Sequence, residues 1–357
     1  MIEVEQVQAN VRTTILVIVC AYNEEKCLLP CLASIANSIS VSGGLHRFKL
    51  VCVDNSSKDN TWDIVQKFSA LPVHYEYIKI QHSSLCVSRN SYKFYSDFDY
   101  VAYLDADGGV DLGWARNLLD TVDSTNPDIV SGPVLNLPEK GNQNGLWEVF
   151  YDSSIYESDN YLIGANMCFS AEFLHSVDGF PHIFERRGDE TCLFLKANLL
   201  GLESNVHFHK NVIAYNNFPD SKKNFLKEQF YDGIRSSQIV RLWPKHNFNF
   251  LIVIFRLVRL LGLILSLILM PISYLGAALC FLVSICQIFL RRPHFIVNVF
   301  KKVIQRSNSA TIIDGLTVLV SFYVFDLGFL KGFLSKNPVL KASIFTSPRP
   351  NRVMLDD

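Results

Sequence analysis

The sequence predicts an α/β protein with an open, mostly parallel sheet, followed by a C-terminal helical membrane segment. Three observations carry that expectation. Short apolar runs rich in β-branched and aromatic residues alternate with helix-period segments over the first two thirds of the 357 residues. Several of those runs close on acidic or amide side chains. Finally, the 31 residues from Leu260 to Leu290 contain no Asp, Glu, Lys, Arg or His.

Ile15 to Cys20 reads as a first strand buried on both faces, ending at Ala21-Tyr22-Asn23-Glu24-Glu25. Leu28, Leu32, Ile35 and Ile39 recur at helical spacing, and Pro30 fits that helix only in its first turn. Phe48 to Val53 is a second strand, closed by Asp54-Asn55-Ser56-Ser57-Lys58-Asp59-Asn60-Thr61. A helix with Ile64, Val65 and Phe68 on one face follows, then a strand from Val73 to Ile78 and a helix from about Ser84 to Tyr95 that carries Arg89 and Asn90. Tyr100 to Asp105 is the next strand, and Gly108-Gly109 turns the chain after Asp107. Asp128 to Gly132 and Gly164 to Ser170 are further extended segments, separated by a polar insertion from Pro138 to Asn160. Val177 to Pro181 is a turn, and Asp189-Glu190 opens a helix with Leu193, Phe194, Ala197 and Leu200 inward.

Asp105 and Asp107 are spaced i, i+2 at a strand end. Buried carboxylates need a partner, and a divalent cation with oxygen preference is one; a solvated Asp-Gly turn is the other reading. In an open parallel sheet, ligands bind beyond the carboxyl ends of the strands. That places Asn23-Glu24, Asp54-Asn55 and Asp105-Asp107 on one edge. Neither GxGxxG nor GxxxxGK[ST] occurs, so any bound phosphates depend on metal and side chains.

A net charge of −1 gives no support for nucleic-acid binding. From Leu251 onward there are 12 basic and 4 acidic residues, so an acidic globular part joins a basic, apolar one. Nine cysteines with no CxxC read as reduced thiols, and no secretory signal opens the chain, so the globular part is expected in the cytoplasm.

Val19-Cys20-Ala21-Tyr22-Asn23-Glu24, the Asp54 to Thr61 segment, Leu104-Asp105-Ala106-Asp107, Gly164-Ala165-Asn166, Gly179-Phe180 and Gly188-Asp189-Glu190 together resemble family 2 glycosyltransferases of the GT-A type. The resemblance spans roughly residues 13 to 240. It implies an inverting enzyme with a nucleotide-sugar donor, a UDP-sugar by preference, and Mn²⁺ or Mg²⁺ as cofactor. By the same resemblance, Asp54 holds the nucleobase edge, and Ala21, Tyr22 and Glu24 line the base and ribose pocket. Asp105 approaches ribose and metal, Asp107 ligates the metal, and Arg89 lies near the phosphates. The pair Asp189-Glu190 supplies the catalytic base, with Glu190 at the base position by register. Three departures stand out. Asp54-Asn55-Ser56-Ser57 replaces Asp-Asp-Gly-Ser, the acid pair is inverted, and Val212 to Asn217 lacks the family's His. His207 and His209, upstream, are read as structural.

As one helix, Leu260 to Leu290 would run about 46 Å, too long for a ~30 Å hydrocarbon core. The expectation is a helical hairpin over about 251–290, broken near Met270-Pro271-Ile272, with Arg256, Arg259, Arg291 and Arg292 marking both ends as cytoplasmic. A segment at about 312–333 contains Asp314 and Asp326, which are costly in lipid, so it is read as an amphipathic interfacial helix or a third span. The expected domains are therefore 1–245, glycosyltransferase, and 246–357, membrane-anchoring. The expected location is the inner (cytoplasmic) membrane with the catalytic domain facing the cytoplasm. The expected acceptor is a lipid-linked saccharide in cell-surface glycan biosynthesis. A polyprenyl-phosphate sugar synthase and an inactive nucleotide-sugar-binding scaffold are the alternatives.

Overall fold

A computed structural model of the protein describes residues 13–81, 84–137, 164–181, 189–217, 221–242, 247–276, 278–280, 282, 284 and 309–334. The described residues divide into two compact units, one of 13–134 and 164–216, the other of 135–137 and 217–334. The expected polar insertion of Pro138 to Asn160 lies outside the described residues, as does most of the expected second hairpin arm.

The first unit is organised on a seven-stranded sheet. Its strands are β1 (Ile15–Ala21), β2 (Phe48–Asp54), β3 (His74–Lys79), β4 (Tyr100–Asp105), β6 (Ile129–Ser131), β8 (Asn166–Ser170) and β9 (Val206–Phe208). The order is β3-β2-β1-β4-β8-β6-β9. β1 lies parallel to both β2 and β4, while β8 runs antiparallel to its neighbours β4 and β6. The strand order reverses between β1 and β4, and such a switch opens a crevice beyond the carboxyl ends of those strands. Registry then does the positioning: Ala21 sits opposite Asp54, and Cys20 opposite Asp105. The apolar runs of β1 and β4 are buried on both faces. On one side α1 (Leu28–Val41) covers them with Leu28, Leu32, Ile35 and Ile39, and Pro30 falls in its first turn. On the other side Tyr103, Phe169 and Phe180 meet edge to face.

Further helices in this unit are α2 (Thr61–Lys67), α3 (Leu85–Arg89), α4 (Trp114–Thr125), α5 (Ala171–Ser176) and α6 (Asp189–Leu199). The single helix expected from Ser84 to Tyr95 is instead α3 followed by a 3₁₀ segment over Asn90–Phe94. The change falls where the Asn90 side chain brackets Phe180, accepting its N–H at 2.8 Å and donating to its carbonyl at 2.9 Å. A second sheet has the order β5-β10-β7, from Gly109–Val110, Ala214–Asn216 and Val134–Asn136. Gly108 is required by it: a Cβ there would stand 2.0 Å from the Tyr215 carbonyl oxygen.

The second unit contains α7 (Lys222–Leu242), α8 (Asn247–Leu269) and α9 (Ser309–Leu334). The sequence reading kept residues 222–242 with the sheet; here they group with the later helices because α7 and α9 meet backbone to backbone. A Cβ on Gly233 would lie 2.0 Å from the Phe325 carbonyl oxygen, and one on Gly328 would lie 1.9 Å from that of Phe230. Among the described residues no helix is long and apolar enough to cross a membrane. α8 ends at Leu269, and Ser284 Oγ donates to the Arg259 carbonyl at 2.8 Å.

Two expectations about charge change here. Arg256 and Arg259 are not free flanking cations, and Asp326 is not an unpaired acid. Asp326 is fully buried and accepts from Arg259 Nε at 2.5 Å and from Arg256 Nη1 at 3.3 Å. Arg256 also lies 4.5 Å over Phe325 and 4.4 Å over Phe329. Mutual neutralisation removes most of the burial cost that each charge would carry alone. The close crossing predicts that Gly328→Ala destabilises the second unit by about 2–3 kcal/mol, since backbone oxygen has nowhere to move. Chemical denaturation measures this, and an unchanged midpoint would rule out the crossing.

Candidate active site

The site is built where β1, β2 and β4 end. Beyond β1, exposed Asn23 adopts φ 58°, a left-handed conformation that Asn tolerates better than most residues. Its N–H donates to Ser57 Oγ at 2.9 Å, and its Oδ1 accepts from the Lys58 N–H at 2.8 Å. The Glu24 N–H donates to Thr61 Oγ1 at 2.7 Å, and Glu25 Oε2 accepts from both nitrogens of Asn60 at 3.1 Å. The loops after β1 and β2 are thus laced into one wall, with half-buried Tyr22 and Glu24 on it.

Asp54 lies at the expected strand end but is fully buried. Its oxygens accept the Ser57 N–H at 3.2 and 3.3 Å, and Lys79 Nζ stands 3.7 Å away, over the Trp62 ring at 5.0 Å. The carboxylate thus ties the loop after β2. Ser56, where the family has glycine, takes φ 54° and donates from Oγ to the Ile80 carbonyl at 2.7 Å. That bond explains how a non-glycine residue is held in the turn.

Asp105 and Asp107 are both half-buried at the end of β4. Burial, then the charges of Asp105 and Asp59, push the Glu24 carboxyl up to about 7. Among the described residues no group of three or more His, Cys, Asp or Glu side chains is set to hold a metal ion. The donor chemistry nevertheless fits a hard divalent cation. Mg²⁺ takes one or two carboxylates plus substrate phosphates, and the crowded negative charge felt by Glu24 is what such a cation would relieve.

Arg89, expected near the phosphates, is only 2 % exposed and pairs with carboxylates. Nη1 pairs with Asp189 Oδ2, and Nη2 donates to Asp105 Oδ1 at 3.3 Å and to the Gly164 carbonyl at 2.9 Å. Burial opposes its charge, but Asp189, Asp105 and Glu190 outweigh that and raise its pKa. Phe180 lies 5.8 Å from the guanidinium carbon, and the Tyr103 hydroxyl donates to the Arg89 carbonyl at 3.1 Å.

This arrangement separates the two acids at the start of α6. Asp189 is 2 % exposed and committed to Arg89, whereas Glu190 is half-buried. Burial and then the neighbouring Asp189 charge push the Glu190 carboxyl up to about 8, against the pull of Arg89. A carboxyl with that proton affinity suits general base chemistry near neutral pH.

Other motif residues are structural. Asn166 is 2 % exposed, accepts from Trp114 Nε1 at 3.1 Å and donates to the Val212 carbonyl at 2.7 Å. Gly179 has φ 68°, and a Cβ there would meet Asn90 Oδ1 at 2.5 Å. His207 and His209 stack with ring centres 6.3 Å apart beside edge strand β9. Gly164, named in the sequence as part of the Gly164-Ala165-Asn166 motif, lies at this cluster: its carbonyl accepts from Arg89, and a Cβ would press on Arg89 and on Glu190 Oε2 at 3.4 Å. What sequence reasoning missed is the pairing of Arg89 with Asp189 and Asp105, for which no local pattern gives a signal.

Residues 16–178 match the family model described as Glycosyl transferase family 2. The glycosyltransferase AglE of Haloferax volcanii is 25 % identical over 178 residues, covering 48 % of this chain and 58 % of AglE. The succinoglycan biosynthesis protein ExoM of Rhizobium meliloti is 29 % identical over 89 residues, covering 25 % of this chain and 29 % of ExoM. The chain therefore spans less than two thirds of either relative's length. The mannosyltransferase PcManGT from Pyrobaculum calidifontis, in complex with GDP-Man and Mn²⁺, superposes with a TM-score of 0.57 at 14 % identity, covering 92 % of this chain and 89 % of that one. At that identity the likeness speaks to the fold.

Glu190 binds its proton more tightly folded than unfolded, so its ionisation costs stability. Replacing it with neutral Gln is expected to raise the melting temperature, by an amount that grows from about pH 4.5 to about pH 8 and then levels. Thermal denaturation of wild type and Glu190→Gln across that range measures it; equal curves at pH 9 would refute the raised pKa.

Proposed function

The chain belongs to glycosyl transferase family 2 through residues 16–178, and from that premise we propose that it transfers a sugar from a nucleotide-diphosphate sugar to a hydroxyl of a lipid-linked saccharide, inverting the anomeric carbon. The observation that carries the reading is the division across Arg89: half-buried Glu190 on one side, the Asp105 carboxylate on the other.

Glu190 takes the proton from the acceptor hydroxyl, its raised pKa bringing it close to the working pH. Asp189 is taken up by its buried pair with Arg89. Attack in one step at the anomeric carbon needs no protein nucleophile. Ala21, Tyr22 and Glu24 line the nucleotide side, and Asp54 backs that wall. Asp105 and Asp107 would hold Mn²⁺ or Mg²⁺ together with the donor diphosphate, and the cation supplies charge neutralisation for the leaving group. The GDP-Man and Mn²⁺ of the PcManGT complex support a nucleotide-sugar donor and a divalent cation for this fold. The donor is a uridine or guanosine diphosphate sugar.

The lipid-linked acceptor is inferred from the exposed surface of the second unit. Ile254, Leu257, Leu261, Leu265 and Ile268 are exposed along α8, and Met270, Ile272 and Leu275 continue the apolar surface past its end. Apolar exposure on this scale marks an interaction surface. We assign it to the cytoplasmic membrane, with the catalytic unit facing the cytoplasm and the acceptor presented on a lipid carrier. The glycan-biosynthesis description of ExoM supports a role in building a surface glycan.

A panel of nucleotide sugars with and without Mn²⁺ tests the enzyme. One donor is expected to raise the melting temperature in a cation-dependent way, equivalent to about 2.7 kcal/mol at a hundred times its Kd. Asp107→Asn should abolish the cation dependence. Glu190→Gln should keep donor binding and lower kcat by roughly 10²–10⁴. Wild-type protein that no donor stabilises would refute the reading. For the membrane assignment, the full chain should float with vesicles containing anionic lipid, and Leu261→Glu with Leu265→Glu should cut the bound fraction severalfold. Flotation unaffected by these changes would remove α8 from the contact.

A further inference from the structure

Three elements meet on one buried guanidinium. Arg89 ends α3, Asp105 ends β4 and Asp189 begins α6, while the Gly164 carbonyl supplies the guanidinium with a third contact. The planar fork of arginine can serve several acceptors at once in fixed directions, which a lysine ammonium cannot. The surroundings hold that fork still. Phe180 lies against it, the Tyr103 hydroxyl fixes the Arg89 carbonyl, and Gly164 is tight enough that a Cβ would stand 3.1 Å from Nη2 and 3.3 Å from Nη1. Asn90, the next residue, clamps the Phe180 backbone from both sides.

We propose that Arg89 is a positioning residue that holds Asp189 in a buried pair, leaves half-buried Glu190 to take the acceptor's proton, and ties α6 to the end of β4. Glu190 is the next residue after Asp189 on the same first helical turn, so an Arg89–Asp189 pair that cannot rotate also fixes the base. The link from Nη2 to Asp105 carries that fixed geometry to the donor side. The spacing between base and donor-side carboxylates is then set by one side chain. This inference rests on the glycosyltransferase reading, and it gives Asp189 a role only through Arg89.

A double-mutant cycle tests it on the full-length protein, with donor thermal shift and steady-state kinetics measured side by side. Arg89→Met is expected to lower kcat about 100-fold, the cost of a misplaced base, with the donor KM and the donor-induced shift within about threefold of wild type. Arg89→Lys should recover about a tenth of the wild-type rate. Asp189→Asn and the double variant should each lose about as much as Arg89→Met, because the pair acts as a unit. The double variant also limits misfolding, since it removes both members of the fully buried pair together. Several results would overturn the proposal. A donor KM that rises in step with the loss of kcat would make Arg89 a phosphate contact. An Asp189→Asn variant far slower than Arg89→Met would make Asp189 the base. A double variant with wild-type rate would reduce the pair to structure. Wild type that binds and turns over a donor while Arg89→Met is equally fast sinks this inference alone. Wild type that binds no donor takes the parent reading down with it.

Discussion

A guanidinium taken out of water is tolerable only where fixed anions surround it, and Arg89 has two. Asp189 and Asp105 answer its charge, and the Gly164 carbonyl answers one more N–H. In the low dielectric of the interior these interactions are strong, and leaving any partner out would strand a charge. The consequence reaches across the first unit. The start of α6, the end of β4 and the turn at Gly164 cannot shift independently, because each contributes an atom to the same planar group. The two acids of the pair become chemically different for the same reason: one is neutralised and buried, the other keeps its proton to about 8.

The sheet supplies the frame on which that cluster hangs. Parallel registry of β1 with β2 and β4 brings three strand ends level, and the reversal of strand order between β1 and β4 leaves a crevice above them. The loops rising from β1 and β2 are stiffened by hydrogen bonds between side chains and backbone, not by glycine. Asn23 and Ser56 occupy left-handed conformations, each secured by its own side chain. A wall built this way is preorganised for a ligand and costs little further ordering when one binds.

The second unit solves the opposite problem. Its helices carry long apolar faces together with Arg256, Arg259 and Asp326, and the charges find each other inside the packing. Gly233 and Gly328 let α7 and α9 approach to backbone contact. Charge satisfied inside and apolar side chains outside is the reverse of a soluble surface, and it is the physical basis for reading α8 as a membrane contact.

How much of this was legible in the sequence follows from the range of the interactions involved. Strands β1, β2 and β4 declared themselves because burial on both faces demands an unbroken apolar run, and the acids at the ends of β2 and β4 stand on one edge of the sheet. Local chemistry, of period two or 3.6 and a few residues in reach, is written directly in the chain. The partners of Arg89 and Arg259 were not legible. Asp189 lies 100 residues from Arg89, and Asp326 lies 67 from Arg259. No local pattern distinguishes a carboxylate that ligates, one that takes a proton and one that merely neutralises. The sequence by itself therefore determined the α/β architecture, the resemblance to family 2 glycosyltransferases and the edge on which the strand-end acids gather. Only the tertiary structure decided that Asp54 is buried, that Arg89 faces carboxylates, and that Asp189 and not Glu190 pairs with it, because those outcomes depend on which distant charges share one desolvated space.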